Sequence, residues 1–434
     1  MDTSAAPMWL MGNGQWMGSV RMAPLPATDR MVLRELAKRV DEIAHRPEEE
    51  EKKQLWTAHN MLDGKRPMVL CFPEDGWKEL VPSDVYRCET ASGRQWEQML
   101  RRRIYHHEYI PDDTVIVDTI DIPHCIVGSG LGVTTGMVYA DSSRSGAGAF
   151  DPVIVEESDL EKLHPMTFSL DDKKTQETLG LAEDLFGDIL RVRLRTWDWW
   201  RFEYSKPIAY LRGLGRMYLD MCDKPSILHR ICRILRESYE NKIAFFEENR
   251  LFCPCNENEY CGSGGTCWTE ELPGEEADRA QLSSRDVWTY GESQELADVS
   301  PAMFEEFVLQ YQAPLLARFG LSCYGCCEPL DGRWSLLKKH VPNLRRASVT
   351  PWADQAIAAD ECGRQIIFSR KPSPALLAME RIDERQIRED TRKTLAAADG
   401  CNLEFIMKDT MTFRNQPQRL NTWTRIAKQE IGAQ

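Results

Sequence analysis

Short apolar runs alternate with helix-length amphipathic segments along most of the chain. Runs with the residue types of buried strands lie at 189–194, 321–325, 345–350, 365–370 and 403–409. Helical spacing of the apolar residues marks the segments 173–187, 206–250, 301–319, 374–398 and 416–431. Alternation of strand and helix is typical of parallel β/α units, so we predict an α/β fold.

The first part of the chain follows a different pattern. Residues 29–63 combine helical spacing with many charges, and Pro47 predicts a break between two helices. We therefore assign 1–65 to an N-terminal helical extension and 66–434 to the main domain, whose first strand is "RPMVLCFP". Residues 125–170 are rich in Gly and Ser and show little periodicity, which predicts an irregular insertion.

The composition is that of a globular protein. Hydrophobic residues make up 42% and charged residues 28% of the 434 positions, and no apolar run reaches the roughly 18 residues that would cross a bilayer. The 54 basic and 68 acidic residues give a net charge of −14, which argues against nucleic acid as a partner. The N-terminal stretch lacks a basic leader and is broken by glycines, so we expect a cytoplasmic protein.

Three cysteines and a glutamate fall close together in "LSCYGCCEPL". The 14 cysteines of a cytoplasmic chain stay reduced, which favours metal binding or catalysis over disulfides. Cys323 and Cys326 have the spacing of two ligands of one metal, whereas Cys326 and Cys327 would point apart in an extended segment. Glu328 offers an oxygen ligand or a base. The alternative is that these cysteines are small buried core residues.

A second group of cysteines occurs in "LFCPCNENEYCGSGGTCW". Cys253, Cys255, Cys261 and Cys267 have the side chains of a structural zinc site, but their spacings of 2, 6 and 6 differ from those of paired zinc knuckles. The "GSGG" between them lacks the Lys-Ser/Thr of a phosphate loop. We expect these glycines to form a tight turn or to let the backbone approach a ligand closely.

Aromatic, amide and charged side chains follow several predicted strands, as an organic-ligand pocket requires. Lys408 and Asp409 come directly after the last strand and are, together with Glu292, candidate catalytic residues. The alternatives are plain packing for the aromatic residues and a buried ion pair for the two residues after the last strand. The candidate substrate-binding residues are Trp288, Tyr290, Gln294, Trp352, Arg370 and Tyr260.

Five stretches carry a family resemblance: "YGESQELADVSPAMFEEFVLQYQAPLLARFG", "YGCCEPL", "SVTPWAD", "IIFSRKPSPALLA" and "IMKDTMTFRNQPQRLNTWTRIAKQEI". Together they resemble the last four βα units of the uroporphyrinogen decarboxylase superfamily, and more closely its corrinoid-dependent methyltransferase branch. The resemblance is strong in the last third of the chain and diffuse before residue 250. It implies a (β/α)₈ TIM barrel behind the N-terminal helical extension.

The resemblance also implies a function in anaerobic demethylation. Such an enzyme moves a methyl group from a methylated small molecule, such as a methoxyarene, to the cobalt of cobalamin on a partner corrinoid protein. Better-known members hold zinc through a His-x-Cys pair and a distant Cys. Here Cys326 matches the Cys, Tyr324 stands at the His position, and the last strand ends without the final Cys. Cys327 or Glu328 would have to complete a zinc site with Cys326.

In this interpretation the leaving oxygen or amine is activated by zinc, or is protonated by Asp409 or Glu292. Two other functions stay open. A decarboxylase or lyase on the same barrel would act through Arg370 and Asp409 and would form product without cobalamin. A non-catalytic binding subunit would use its cysteines as core residues only, and Cys326→Ser would then cost stability alone.

Overall fold

The computed structural model describes residues 15–17, 24–139 and 148–432. The strands are β1 (Gln15–Met17), β2 (Met68–Cys71), β3 (Thr119–Ile122), β4 (Ile126–Gly128), β5 (Gly136–Tyr139), β6 (Gly148–Asp151), β7 (Phe168–Leu170), β8 (Arg191–Leu194), β9 (Arg201–Glu203), β10 (Trp288–Glu292), β11 (Leu321–Tyr324), β12 (Leu344–Val349), β13 (Ile367–Arg370) and β14 (Leu403–Met407). The α-helices are α1 (Ala27–Ala44), α2 (Pro47–Asn60), α3 (Trp77–Leu80), α4 (Ala91–Tyr109), α5 (Asp172–Phe186), α6 (Ser205–Arg212), α7 (Leu214–Asp223), α8 (Pro225–Glu248), α9 (Pro301–Phe304), α10 (Gln310–Leu316), α11 (Trp334–His340), α12 (Gln355–Cys362), α13 (Ala375–Ala378), α14 (Glu384–Ala397) and α15 (Gln418–Glu430).

A seven-stranded parallel sheet forms the centre of the molecule, in the order β2-β14-β13-β12-β11-β10-β9. Helices connect its successive strands, as the predicted β/α units require. The first strand of this sheet, β2, pairs with the last one, β14, which curves the sheet towards a TIM barrel. Within the described residues β2 and β9 do not pair with each other, and β3 and β8 form a separate parallel pair. The α/β fold is therefore confirmed. The predicted closed barrel of eight strands is not confirmed, because among the described residues the barrel-like sheet is open between β2 and β9.

The two N-terminal helices form as the sequence predicts. Arg46 is extended and Pro47 begins α2, because a proline disfavours the helical conformation of the residue before it. Helix α1 packs on α4 and α5 through apolar residues. Ion pairs from Arg30 to Asp184 and from Arg34 to Asp188 flank this contact. None of the helices among the described residues has the length and apolar character needed to cross a membrane.

The end of α2 meets a buried polar cluster inside the sheet. Arg346 Nε lies 3.0 Å from Glu404 Oε1, and His59 Nε2 lies 3.1 Å from Glu404 Oε2. Asn60 accepts a hydrogen bond from Arg346 and donates one to the carbonyl oxygen of Thr266. These bonds tie α2 to β12 and β14 at the level of the first residues of the two strands.

The segment 125–170 contains more regular structure than its composition predicts. Strand β4 pairs antiparallel with β1 and β7, and β5 and β6 form an antiparallel hairpin. The sequence signal is weak because these strands have only three or four residues each. Residues 140–147 of this segment lie outside the described residues.

A buried segment without regular secondary structure spans the open side of the sheet. Residues 259–267 are all buried. The Tyr260 ring packs on Phe72, which follows β2, at 4.9 Å, and Trp199, which precedes β9, donates a hydrogen bond to the carbonyl oxygen of Gly262. A Cβ atom on Gly262 would approach Cys323 Cβ to 2.7 Å, so this glycine allows a close approach to β11 and not to a ligand as predicted. This segment brings residues far from the strands into the interior of the sheet.

A substitution of Arg346 or Glu404 should lower the stability of the protein mainly because it breaks their buried ion pair. Glu404→Gln leaves the guanidinium without its counter-charge in the interior, and we expect it to lower the free energy of unfolding by about 3–5 kcal/mol. Urea denaturation followed by circular dichroism measures this. Glu389→Gln, in the exposed pair with Arg385, is the control and should stay within about 0.5 kcal/mol. Equal effects of the two substitutions would contradict the buried pair.

Candidate active site

A pocket of about 220 Å³ opens at the carboxyl ends of the parallel strands. Its lining comes from several elements, including Arg201 in β9, Tyr290 in β10, Cys326 after β11 and Lys408 after β14. The buried segment adds Tyr260 and Ser263. In barrels of parallel β/α units this face carries the catalytic residues, because the loops that follow the strands converge there.

Aromatic rings form one wall of the pocket. The rings of Trp199 and Tyr290 stack at 5.4 Å with an interplanar angle of 16°, and Tyr260 meets Trp199 edge-on at 5.2 Å. The Arg201 guanidinium lies 4.7 Å from the centre of the Trp199 ring. Such a wall binds a planar or apolar ligand through its faces.

Glu292 is not available as a proton donor to a ligand. It is fully buried, and its Oε1 lies 3.0 Å from Arg201 Nη2. The same guanidinium is ion-paired with Glu203. Glu292 and Glu203 therefore neutralise Arg201 beneath the aromatic wall and fix its position, because an unpaired buried charge is strongly unfavourable.

Lys408 and Cys326 form a charge pair at the opposite wall. Lys408 Nζ donates to Ser263 Oγ at 3.0 Å and lies 3.8 Å from Cys326 Sγ and 3.5 Å from Asp409 Oδ1. A hydrogen bond with Cys327 and the charge of Lys408 lower the pKa of Cys326 to about 5, although burial opposes this shift. Burial also opposes the charge on Lys408, but Tyr260, Cys326 and Asp409 raise the pKa of Lys408 well above its usual value. The arrangement thus favours the ammonium form of Lys408 and the thiolate form of Cys326.

Glu74 is the protonated acid of the pocket, and the sequence analysis missed it. It begins a 3₁₀ turn after β2, and its φ of 47° is unfavourable for a residue with a side chain. Burial raises the pKa of Glu74 to about 7, in spite of the Lys408 charge and with a contribution from the Asp409 carboxylate. A carboxyl group with such a pKa can hold and donate a proton near neutral pH.

The residues predicted to bind zinc do not form a suitable donor set. Glu328 accepts backbone hydrogen bonds from Ser293 at 2.8 Å and from Cys326 at 3.0 Å, so both of its oxygen atoms are engaged. Burial and the charges of Glu292 and Cys326 raise the pKa of Glu328 to about 8, which favours its neutral form. The Lys408 ammonium beside Cys326 would repel a metal cation. Cys326, Cys327 and Glu328 therefore do not fit a zinc ion.

Another group of potential metal ligands lies in the buried segment and just before it. One ligand atom each of Cys255, Glu259 and Cys267 lies within 4.8 Å of the other two, and all three side chains are buried. This combination of sulfur and carboxylate oxygen is compatible with zinc. The cysteines that could bind a metal are therefore Cys255 and Cys267, which precede β10, and not the predicted Cys326 and Cys327, which follow β11.

The structure separates the predicted substrate-binding residues into two sets. Tyr260, Tyr290 and Gln294 line the pocket, together with the predicted catalytic residues Lys408 and Asp409. Trp288 is buried and donates a hydrogen bond to the carbonyl oxygen of Cys267. Arg370 donates to the carbonyl oxygens of Thr350 and Lys371. Trp352 is 71% exposed. Those three remain predictions without a contact to the pocket.

Four pocket residues were not predicted from the sequence: Glu74, Trp199, Arg201 and Ser263. The signal for two of them was present in "TWDWWRFE", an aromatic cluster followed by the arginine that begins β9. Glu74 follows the first predicted strand in "FPEDG", a turn sequence with two acids. A systematic search of the residues after each strand would have included it.

A second cavity, of about 340 Å³, lies at the other end of β10. It is lined by Ser284 and Arg285 in the turn before β10, by Glu247 near the end of α8, and by residues that follow α10. It has no aromatic wall and does not combine a buried acid with a thiolate. We therefore assign the chemistry to the pocket at the carboxyl ends of the strands.

Comparison with known proteins does not show a family. No protein-family model matches the chain, and no curated protein matches it. A solved structure, a methyltransferase from Methanosarcina mazei, aligns with 11% sequence identity and a TM-score of 0.46 over 87% of this chain and 97% of that chain. A likeness at this level carries no argument about function.

The thiolate state of Cys326 can be tested by alkylation. Because its pKa is lowered, we expect iodoacetamide to modify Cys326 at pH 6, where an ordinary thiol with a pKa of about 8.5 is protonated. Peptide mass spectrometry across a pH series measures the modification. Lys408→Met removes the adjacent positive charge and should move the reaction to higher pH, whereas Lys339→Met, at an exposed lysine, should not. An unchanged profile in Lys408→Met would refute the pairing.

Proposed function

We propose that this protein transfers a methyl group from a methylated small molecule to the cobalt of a corrinoid carried by a partner protein. The observation that carries the proposal is one open pocket in which the acid Glu74 and the ammonium of Lys408 accompany an aromatic wall. The resemblance of residues 286–431 to corrinoid-dependent methyltransferases supports the choice of acceptor. A methoxyarene is the proposed donor, because its ring matches the stacked aromatic wall.

The pocket supplies what the leaving group of such a reaction needs. When a methyl group is removed from an ether, the remaining oxygen becomes negatively charged, and its protonation lowers the barrier. Glu74 retains its proton up to about pH 7 and is the proposed donor. Lys408 lies in the same pocket and stabilises the developing negative charge. Cys326 and Asp409 keep the ammonium charged.

No step of this proposal passes through a metal ion held by the protein. The cysteines after β11 are adjacent to a cation and do not fit zinc, so protonation replaces Lewis-acid activation. The corrinoid has to reach the methyl group from outside, and the pocket lies at the face where Trp352 is exposed after β12. We propose that the partner protein docks on this face.

The structure does not favour the lyase alternative, because one of its two proposed residues, Arg370, does not reach the pocket. Arg370 donates to the carbonyl oxygens of Thr350 and Lys371 and pairs with Asp390, so its guanidinium is occupied away from the pocket. A non-catalytic binding subunit would not need the raised pKa of Glu74 near Cys326. Both alternatives make a different prediction for the same assay.

The assay uses donors with an isotopically labelled methyl group and free reduced cobalamin as the acceptor. We expect labelled methylcobalamin from a methoxyarene, and less from methylamines and methyl thioethers. Optical absorption and mass spectrometry detect the product. Conversion of a donor at the same rate without cobalamin would contradict the proposal and favour the lyase. Binding of a donor without any conversion would favour the binding subunit.

Glu74→Gln should remove the proposed proton donor and leave the other pocket residues in place. Loss of a general acid typically costs about 10²- to 10⁴-fold in rate. Since the protonated form is the active one, the wild-type rate should fall as the pH rises above about 7, and this fall should be absent in the variant. Asp75→Asn, at the neighbouring half-exposed carboxylate, is the matched control and should keep the wild-type rate and pH profile. A wild-type pH profile in Glu74→Gln would assign the acid elsewhere.

A further inference from the structure

A row of four buried thiols runs through the interior of the sheet, apart from the pocket. Cys255 Sγ lies 3.1 Å from Cys267 Sγ, and Cys261 Sγ lies 3.3 Å from Cys323 Sγ. Cys261 also interacts with Cys267, which links the two pairs. All four side chains are at most 3% exposed. Nothing in the proposed reaction uses these sulfur atoms.

The carboxylate of Glu259 adds an oxygen to one end of the row. One of its oxygen atoms lies within 4.8 Å of both Cys255 Sγ and Cys267 Sγ. Tetrahedral zinc binds thiolate sulfur at about 2.3 Å and carboxylate oxygen at about 2.0–2.2 Å, which brings its ligands to within about 4 Å of one another. Cys261, which interacts with Cys267, is the proposed fourth ligand, and it would have to move closer to Cys255 and Glu259, because it is not among the three residues whose ligand atoms lie within 4.8 Å of one another.

Two buried guanidinium groups flank the cluster. Arg195 is ion-paired with Glu259, and Arg346 Nη1 lies 3.8 Å from Cys323 Sγ at the other end of the row. These two positive charges thus lie next to the carboxylate at one end of the cluster and next to a sulfur atom at the other end. Glu259 would therefore bind zinc while it keeps its ion pair with Arg195.

The stretch that carries these ligands, residues 255–267, has few backbone hydrogen bonds within itself. Only two of its backbone hydrogen bonds lie within the segment, from the Cys261 amide to the Gly265 carbonyl and from the Cys267 amide to the Glu257 carbonyl. Gly262, Gly264 and Gly265 all have positive φ values, so this backbone has many accessible conformations when it is unfolded. Between the ligands lie Tyr260 and Ser263, which line the pocket.

We propose that Cys255, Glu259, Cys261 and Cys267 bind one structural zinc ion, which holds this segment inside the sheet and positions Tyr260 and Ser263. The inference does not depend on methyl transfer, because it concerns ligands outside the pocket. A protein that binds zinc at this cluster and fails in the cobalamin assay would keep the zinc site and lose only the proposed function.

The test is the metal content of the full chain purified without chelator, measured by elemental mass spectrometry. We expect about one zinc per chain in the wild type and in Cys222→Ser, which changes an exposed cysteine. We expect loss of zinc in Cys267→Ser. Zinc that persists in Cys267→Ser and disappears in Cys326→Ser would place the ion in the pocket and overturn the assignment.

A second measurement covers the case in which Cys267→Ser does not fold. Wild-type protein in which cobalt(II) replaces zinc should show the intense near-ultraviolet charge-transfer absorption of thiolate ligands. Folded wild-type protein without zinc would overturn the proposal if all 14 thiols react with Ellman's reagent in denaturant. The same metal-free protein with two thiols fewer would overturn it too, in favour of a disulfide between Cys255 and Cys267.

Discussion

A positive charge that is buried must be compensated, and Lys408 imposes this condition on the whole pocket. Its ammonium has only 8% of the side chain exposed, and it is surrounded by Ser263, Cys326 and Asp409. This charge favours the thiolate form of Cys326, while burial keeps Glu74 protonated despite it. An acid, an ammonium and a thiolate thus coexist in one small space because each ionisation state depends on its neighbours.

The same pocket depends on a segment that has no regular structure. Tyr260 and Ser263 belong to residues 259–267, which are buried across the open side of the sheet between β9 and β2. Buried loops are rare because their backbone polar groups need partners. Here side chains provide them: Asn60, Trp199 and Trp288 donate to carbonyl oxygens of the segment. The proposed zinc ion would add a covalent-like cross-link to these weaker bonds.

The sequence was sufficient for the periodic parts of the fold. The apolar runs correctly predicted β8 and β11–β14, and Pro47 correctly predicted the break between α1 and α2. Both predictions succeeded because these features depend on local sequence patterns. It placed Lys408 correctly after the last strand, whereas Tyr290, expected near a strand end, lies in the middle of β10. It could not show that Glu328 turns to the amides of Ser293 and Cys326, since side-chain direction in a loop depends on tertiary contacts. Glu74 was missed because its partner Lys408 is more than 300 residues away in the sequence.

The protonation state of Glu74 tests the account most directly. Infrared difference spectra between the wild type and Glu74→Gln isolate the stretching band of this one carboxyl group across a pH series. The account predicts that the band of the protonated acid persists at pH 6 and disappears as the pH rises through about 7. Disappearance near the ordinary glutamate pKa of about 4.3 would contradict it, because the pocket would then hold no proton for the leaving group at neutral pH.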